Sequence, residues 1–399
     1  MSASQARRAF VLVIDACGAG ALPDAADYGD EGTNTLSHLA QAVGGLRLPV
    51  MGSLGLGSIV EIEGVPAAQD PAIHGRLAPL GPGKDSITGH WELMGITLAA
   101  PLPTYPQGFP EPLVRRLVAA MGHEVICNRP DNGLAAIEQY GAEHMQSGAL
   151  ILYTSQDSVL QLAAHVEVVP PERLYQACVR ARALMSGPDA VGRVIARPFE
   201  GRPGAFARTG GRRDFSVAPP AASYLQAVQA AGLPVTGVGK ISDLFAGRGV
   251  TASLPGSDND EALGSLTRLV EAMPAGLAFG NLIETDQRYG HRKDVEGFAR
   301  ALERIDRWLA ELLPQLRDGD LLIVTADHGV DPLHPGTDHT REHAPLLAVT
   351  GAMVHAVAAG GGSRGGFRHD GAMADVGASV LSWLGGGEEP TMPGRAFIS

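Results

Sequence analysis

The 399-residue chain carries a formal net charge of −12, with 45 % hydrophobic and 19 % charged residues, the make-up of a folded globular protein large enough for one domain to carry another. That acidity argues against nucleic acid as the main partner, because a phosphate backbone demands a basic surface. Small phosphorylated substrates, held by bound ions and a few local Arg or Lys residues, stay open.

From the N-terminus, Arg7 and Arg8 precede the apolar run FVLVI, which stops at Asp15 and is too short for a signal-peptide core. Cys17, Cys127 and Cys178 are far apart and form no C-x-x-C pair, so neither a disulfide framework nor a thiolate zinc site is indicated. No apolar stretch has membrane-spanning length. The expected location is the cytoplasm.

Short β-rich runs then alternate with amphipathic stretches. Strands are predicted at Phe10–Ile14, Leu150–Tyr153, Arg193–Ala196, Pro234–Val238, Leu277–Ile283, Leu321–Thr325 and Leu346–Val349. Helices are predicted at Pro112–Met121, Pro171–Met185, Ala221–Ala231, Asn259–Met273, Asp294–Leu313 and Met373–Leu384. Runs such as VLVI and LLIV are apolar on both faces, as parallel strands covered by helices on each side should be. An α/β fold with a mostly parallel sheet follows. Two proline-rich stretches, PLPTYPQGFP from Pro101 and the pair Pro219-Pro220, cannot continue helices or central strands. They bound a predicted inserted α/β domain at 101–218, with the core built from 1–100 and 219–399. The Gly-rich 360–366 reads as a flexible surface loop.

Three apolar runs end in carboxylates: Asp15 after FVLVI, Asp286 after LAFGNLI with His291 five residues on, and Asp327-His328-Gly329 after LLIVTA with His339 beyond. Each lies where a parallel strand delivers its C-terminal end, the edge at which open α/β sheets build active sites. Three Asp and three His without Cys make an oxygen/nitrogen site suited to Mn²⁺, Zn²⁺ or Mg²⁺. Six ligands are too many for one catalytic ion with an open position, but two ions about 3.5–4 Å apart would use them to clamp an in-line phosphoryl displacement. Within GPGKDSITGHWELMG, the glycines allow close backbone approach, Lys84 brings charge to a phosphate, and Ser86 or Thr88 offers a hydroxyl nucleophile.

These motifs resemble the phosphopentomutase family, in the alkaline phosphatase superfamily and related to the cofactor-independent phosphoglycerate mutases. The resemblance spans nearly the whole chain: GKDSITGHWELMG at 83–95, YTSQDSVLQLAAH at 153–165, VGRVIARPFEG at 191–201, GKISDLF at 239–245, YGHRKD at 289–294 and TADHGVDPLHPGTDHTRE at 325–342. It implies an alkaline phosphatase-like core with a cap domain and two Mn²⁺ ions, one on Asp15, Asp327 and His328, the other on Asp286, His291 and His339. It places the nucleophile on Ser86, where the family commonly has Thr, and substrate contacts on Ser155, Arg193, Ile195, Arg208 and Lys240. The implied reaction interconverts ribose (or 2-deoxyribose) 1-phosphate and 5-phosphate through phospho-Ser86 and a 1,5-bisphosphate, primed by a bisphosphate such as glucose 1,6-bisphosphate. The family's usual NLVDFD reads NLIETD here, with Glu284 in place of an Asp, and Val330 replaces a usual Asn.

Overall fold

The runs expected to be fully covered are so: Arg8–Ile14, Gly276–Leu282 and Asp320–Thr325 are buried at every residue. The computed structural model describes residues 7–155, 157–360, 363–387, 389 and 391–399. Its strands in chain order are β1 (Arg8–Ile14), β2 (Ile73–Ala78), β3 (Val125–Pro130), β4 (Leu150–Thr154), β5 (Val159–His165), β6 (Arg193–Glu200), β7 (Ala207–Arg208), β8 (Arg213–Ser216), β9 (Val235–Val238), β10 (Ala252–Leu254), β11 (Gly276–Leu282), β12 (Asp320–Thr325), β13 (Ala344–Thr350) and β14 (Gly371–Ala372). The chain divides into two units, one formed up to Ala100 and from Pro219 onward, the other by Pro101–Ala218.

In the first unit an eight-stranded sheet runs in the order β10-β9-β11-β1-β12-β13-β2-β14. From β10 to β12 every pairing is parallel; β13 is antiparallel to β12 and β2. The fold is therefore α/β with a mostly parallel sheet. The strand β2, between β13 and the edge strand β14, was not among the predicted strands, because IHGRLA mixes polar and apolar residues without clean alternation. At the opposite end of β1 from Asp15, Arg8 is fully buried and holds Asp320 through two bonds of 2.7 and 2.5 Å, while its Nη1 donates to the carbonyls of Val270 and Met273. Read in sequence as a flanking charge, it is a satisfied core cation.

Gly361 and Gly362 of the loop read as flexible lie outside the described residues. Beside them, Ser363 and Arg364 are tied to Asp70, and Gly366 packs so closely that a Cβ would meet the carbonyl of Pro71 at 2.3 Å.

The second unit has a sheet in the order β3-β4-β5-β6-β7, with β8 also on β6. One face, carrying Leu150, Leu152, Leu160, Leu162, Val194 and Ala196, packs with Leu113, Leu117, Leu174 and Cys178 of the helices Glu111–Met121 and Pro171–Leu184. The other carries Ile151, Ala163 and Phe199 against Ala136 and Ile137 of the helix Gly133–Ser147. Tyr153, Gln161, Ile195 and Asp214 stand in register across four strands, so they share that second face. Two isolated histidines of this chain are buried: His144 bonds the Ala149 carbonyl and accepts from the His165 backbone, and His74 bonds the Ala72 carbonyl.

Candidate metal centre

β11, β1 and β12 are neighbours in the sheet. Their register pairs Ile14 with Leu282 and Val13 with Thr325, so the residues just past each strand emerge at one level. Asp15 and Asp327 leave side by side, and a π-helical turn at Thr285–Tyr289 carries Asp286 toward them. Strand spacing of about 4.8 Å sets the carboxylates within reach of one another.

The six side chains form two triads. Asp286 Oδ1 lies 3.2 Å from His291 Nε2 and 3.4 Å from His339 Nε2, and the two imidazole nitrogens are 3.2 Å apart. His328 Nε2 lies 3.4 Å from Asp15 Oδ1 and 3.3 Å from Asp327 Oδ2. His328 also groups with Asp286 and His339, all their ligand atoms falling within 4.8 Å, and its ring stacks on His339 at 4.0 Å. The resemblance assigns His328 to one triad; the structure sets it at the junction of both.

These atoms fit divalent ions on physical grounds. Ligands about 2.1 Å from a shared ion lie roughly 3.0–3.4 Å from one another at octahedral to tetrahedral angles, the spacing found here. Asp286 Oδ1 and Asp327 Oδ2 are buried without a hydrogen-bond donor, although Asp327 Oδ1 accepts from the backbones of Ala16 and His328. An unsatisfied buried carboxylate oxygen is costly unless a cation takes it up. The ring nitrogens turned away from the centre meet carbonyls, His291 Nδ1 that of Thr337 at 2.7 Å and His328 Nδ1 that of Gly329 at 3.2 Å, which orients each Nε2 toward the centre.

Electrostatics within the cluster follow from burial and proximity. Burial and the Asp327 and Asp286 charges raise the Asp15 carboxyl. For Asp286 burial also pushes upward, but the neighbouring imidazoles of His291 and His339 hold it well below the usual carboxylate range. Burial pushes His328 down, yet the carboxylates of Asp327 and Asp15 raise it well above 6.5.

The segment after Lys84 forms a helix, Ser86–Leu93, which was not among the predicted helices. Asp85 starts it with a capping box: its carboxylate accepts from the backbones of Ile87 and Thr88, and Thr88 Oγ1 donates to Asp85 Oδ2 at 2.7 Å. That bond engages the Thr88 hydroxyl. Ser86, at the first helical position, turns Oγ toward the centre, 3.1 Å from His328 Nε2 and 3.4 Å from Asp15 Oδ1. Gly89 lets the helix come this close, since a Cβ there would stand 2.4 Å from the Asp327 carbonyl.

Other predicted site residues have defined surroundings. Lys84 gives its charge to buried Asp30 at 2.8 Å and lies over the Tyr28 ring, so in this structure it is matched by a carboxylate. Lys240 Nζ bonds Gln287, beside Asp286, at 2.9 Å. In the second unit, Arg193 lies 3.6 Å from Asp157 and 3.8 Å from Asp214. Ile195 is buried and Arg208 exposed, while Ser155 Oγ accepts from the Asp157 backbone. Pattern reading missed Asn281, whose amide donates to Asp15 Oδ2 at 2.9 Å and meets His90 Nε2 at 3.2 Å. His90, 3.2 Å from Asp327, supports the ligands from behind.

Residues 7–386 match the family model described as the metalloenzyme superfamily. The chain is 48 % identical over 381 residues to the phosphopentomutase of Anaeromyxobacter dehalogenans (strain 2CP-C), covering 95 % of each chain. It is 49 % identical over 342 residues to that of Dictyoglomus turgidum, covering 86 % of this chain and 87 % of the other. The chain belongs to the phosphopentomutase family. Among solved structures, the Leishmania mexicana phosphoglycerate mutase aligns at a TM-score of 0.50 and 13 % identity, covering 100 % of this chain and 99 % of the other, a likeness of fold. Two departures from the phosphopentomutase pattern fall beside the centre. Glu284 pairs with Arg288 and accepts from the Asn259 backbone, and Val330 is buried beside Gly290. Among the described residues, no helix is long and apolar enough to cross a membrane.

Proposed function

We propose that this enzyme interconverts ribose or 2-deoxyribose 1-phosphate and the 5-phosphate through a phosphoserine at Ser86, as a step of nucleoside salvage in the cytoplasm. The observation that carries the reading is the placement of Ser86 Oγ at the first triad, 3.1 Å from His328 Nε2 and 3.4 Å from Asp15 Oδ1. The relatives' shared name supports the substrate class.

Asp15, Asp327 and His328 would hold one Mn²⁺, and Asp286, His291 and His339 the other. Two such ions supply Lewis acidity, lowering the pKa of a hydroxyl and neutralising a phosphoryl group in flight. The chain's own part is orientation. The helix Ser86–Leu93 presents the Ser86 hydroxyl, with its N-terminal backbone dipole favouring negative charge there, and Asp85 and Thr88 hold that helix end in place. Lys84, fixed by Asp30, steadies the approach to Asp85. Phospho-Ser86 would pass its phosphoryl group to the entering monophosphate and take back the other from the resulting 1,5-bisphosphate, with glucose 1,6-bisphosphate as primer. Ser155, Arg193, Ile195, Arg208 and Lys240 are proposed to contact the sugar phosphate, and residues 101–218 to serve as a cap.

The test follows ribose 1-phosphate and inorganic phosphate together, with Mn²⁺, ribose 5-phosphate and catalytic glucose 1,6-bisphosphate. Primer-dependent isomer without free phosphate, lost in Ser86→Ala, is expected. Stoichiometric free phosphate without isomer would make the protein a metal-dependent phosphatase or phosphodiesterase and sink the mutase reading.

A further inference from the structure

Glu342 is not among the proposed ligands, yet it is 3 % exposed and its carboxylate bonds two ligand-bearing segments and packs against a third. Oε2 accepts from the Gly20 backbone at 3.2 Å and the Thr35 backbone at 2.8 Å, and Oε1 accepts from the hydroxyls of Thr35 and Thr340, each at 2.7 Å. All four donors are neutral. Gly20 ends the loop that begins at Asp15; Thr340 follows His339 directly, and its hydroxyl also accepts from the Asp331 backbone at 3.2 Å.

The packing around this carboxylate leaves no slack. A Cβ on Gly18 would meet Glu342 Oε2 at 2.4 Å, and one on Gly329 would meet Oε1 at 2.5 Å. Gly18 lies on the loop after Asp15, and Gly329 follows His328. The carboxylate is thus pressed between the backbones that carry the first triad while it bonds the segment that carries His339. Burying an anion against neutral donors alone is costly, so its place here calls for a use.

We propose that Glu342 is a positioning residue for the metal centre, clamping the Asp15 loop and the Asp327–Gly329 loop to the His339 segment and so setting the spacing of the two triads. The inference rests on the two-ion reading above. Its consequence concerns ion binding directly. Without the carboxylate the segments lose its four bonds and keep only ties such as Ala16 N–H to Asp327 Oδ1 and Asp331 N–H to Thr340 Oγ1, and the ligand atoms spread beyond the narrow range that two adjacent ions accept.

The test is calorimetric titration of Mn²⁺ into the metal-free full-length protein, with electron paramagnetic resonance for the exchange-coupled pair. Wild type is expected to take up two ions; one or none would overturn the two-ion reading itself. Glu342→Ala is expected to lose about ten- to a hundredfold in Mn²⁺ affinity, the size of effect that outer-shell partners have at metal sites, with a weakened coupled-pair signal while unfolding stays cooperative. Glu342→Gln should recover most of the affinity, because its amide can turn toward the two hydroxyls. If folded Glu342→Ala binds two ions as tightly as wild type, with an unchanged spectrum, the positioning role is overturned. Should Glu342→Ala fail to fold, Thr340→Val removes one arm of the clamp; wild-type affinity there would equally overturn the proposal.

Discussion

Ser86 Oγ and His328 Nε2 lie 3.1 Å apart although 242 positions separate them in the chain. The contact joins the first residue of a helix to the loop after a central strand, and it separates two hydroxyls that the sequence alone leaves as rivals. Replacing Ser86 by Ala should lower mutase turnover by about a thousandfold or more, the scale on which a nucleophile's removal is felt. Ser86→Thr should retain turnover within about tenfold, since a hydroxyl stays in place. Thr88→Ala should instead cost about 1 kcal/mol of stability through the lost capping box, with a much smaller drop in turnover. Parallel rate assays and thermal melts on the three variants decide; a dead, normally stable Thr88→Ala with an active Ser86→Ala would reverse the assignment.

Ion uptake should release protons. The carboxylates of Asp327 and Asp15 hold His328 well above its ordinary 6.5 against the effect of burial, so the ring favours a proton that must leave before Nε2 can ligate. Mn²⁺ affinity should therefore rise with pH across the neutral range. Titration at pH 7 in two buffers of different ionisation heat should show about one proton released per protein. No buffer dependence would contradict this. In the metal-free protein the raised His328 value stabilises the fold below about pH 6.5, and that contribution is lost as pH rises through the folded-state value. Depressed Asp286 acts in the opposite sense, stabilising above about 3.8 and losing its contribution as pH falls through its lower folded-state value.

Gly89→Ala should damage the centre even though it adds a single methyl to a helix and improves local propensity. The new Cβ would sit 2.4 Å from the Asp327 carbonyl and 2.8 Å from its Cβ, so helix and ligand must move apart, at a cost of about 1–3 kcal/mol. Mn²⁺ titration and chemical denaturation should both register the change. An unaltered affinity would mean the ligand loop yields freely.

Arg8→Ala should destabilise by about 3–5 kcal/mol, because it leaves Asp320 buried with its charge unmatched at a pair now fully shielded from solvent. A double variant with Asp320→Asn should recover part of the loss. Urea unfolding of the single and double variants measures this. The residual folded protein should keep normal turnover, since the pair lies at the far end of β1 from Asp15.

Much of the fold was legible because runs such as VLVI and LLIV must be covered on both faces, and a chain satisfies that most directly with parallel strands between helices. The same logic located the carboxylates, since a strand that ends in Asp delivers it to the functional edge of the sheet. The strands β2 and β5 were not legible, because IHGRLA and VLQLAAH have no clean period. The helix Gly133–Ser147 begins at a glycine, a poor helix former, and no predicted helix covers it.

The sequence by itself determined the inventory: three Asp and three His at strand ends, a hydroxyl-bearing motif, and a family resemblance spread along the chain. Only the tertiary structure decided their relations. It seated His328 between two triads, turned Ser86 toward the centre while Thr88 closed a capping box, and matched Lys84 to Asp30. It also revealed supports with no local pattern, Asn281 behind Asp15 and Glu342 between Gly18 and Gly329. The physical reason is that residue chemistry and periodicity are local, whereas a ligand distance, a buried tautomer or the space beside a glycine depends on backbones that meet only after the sheet has assembled.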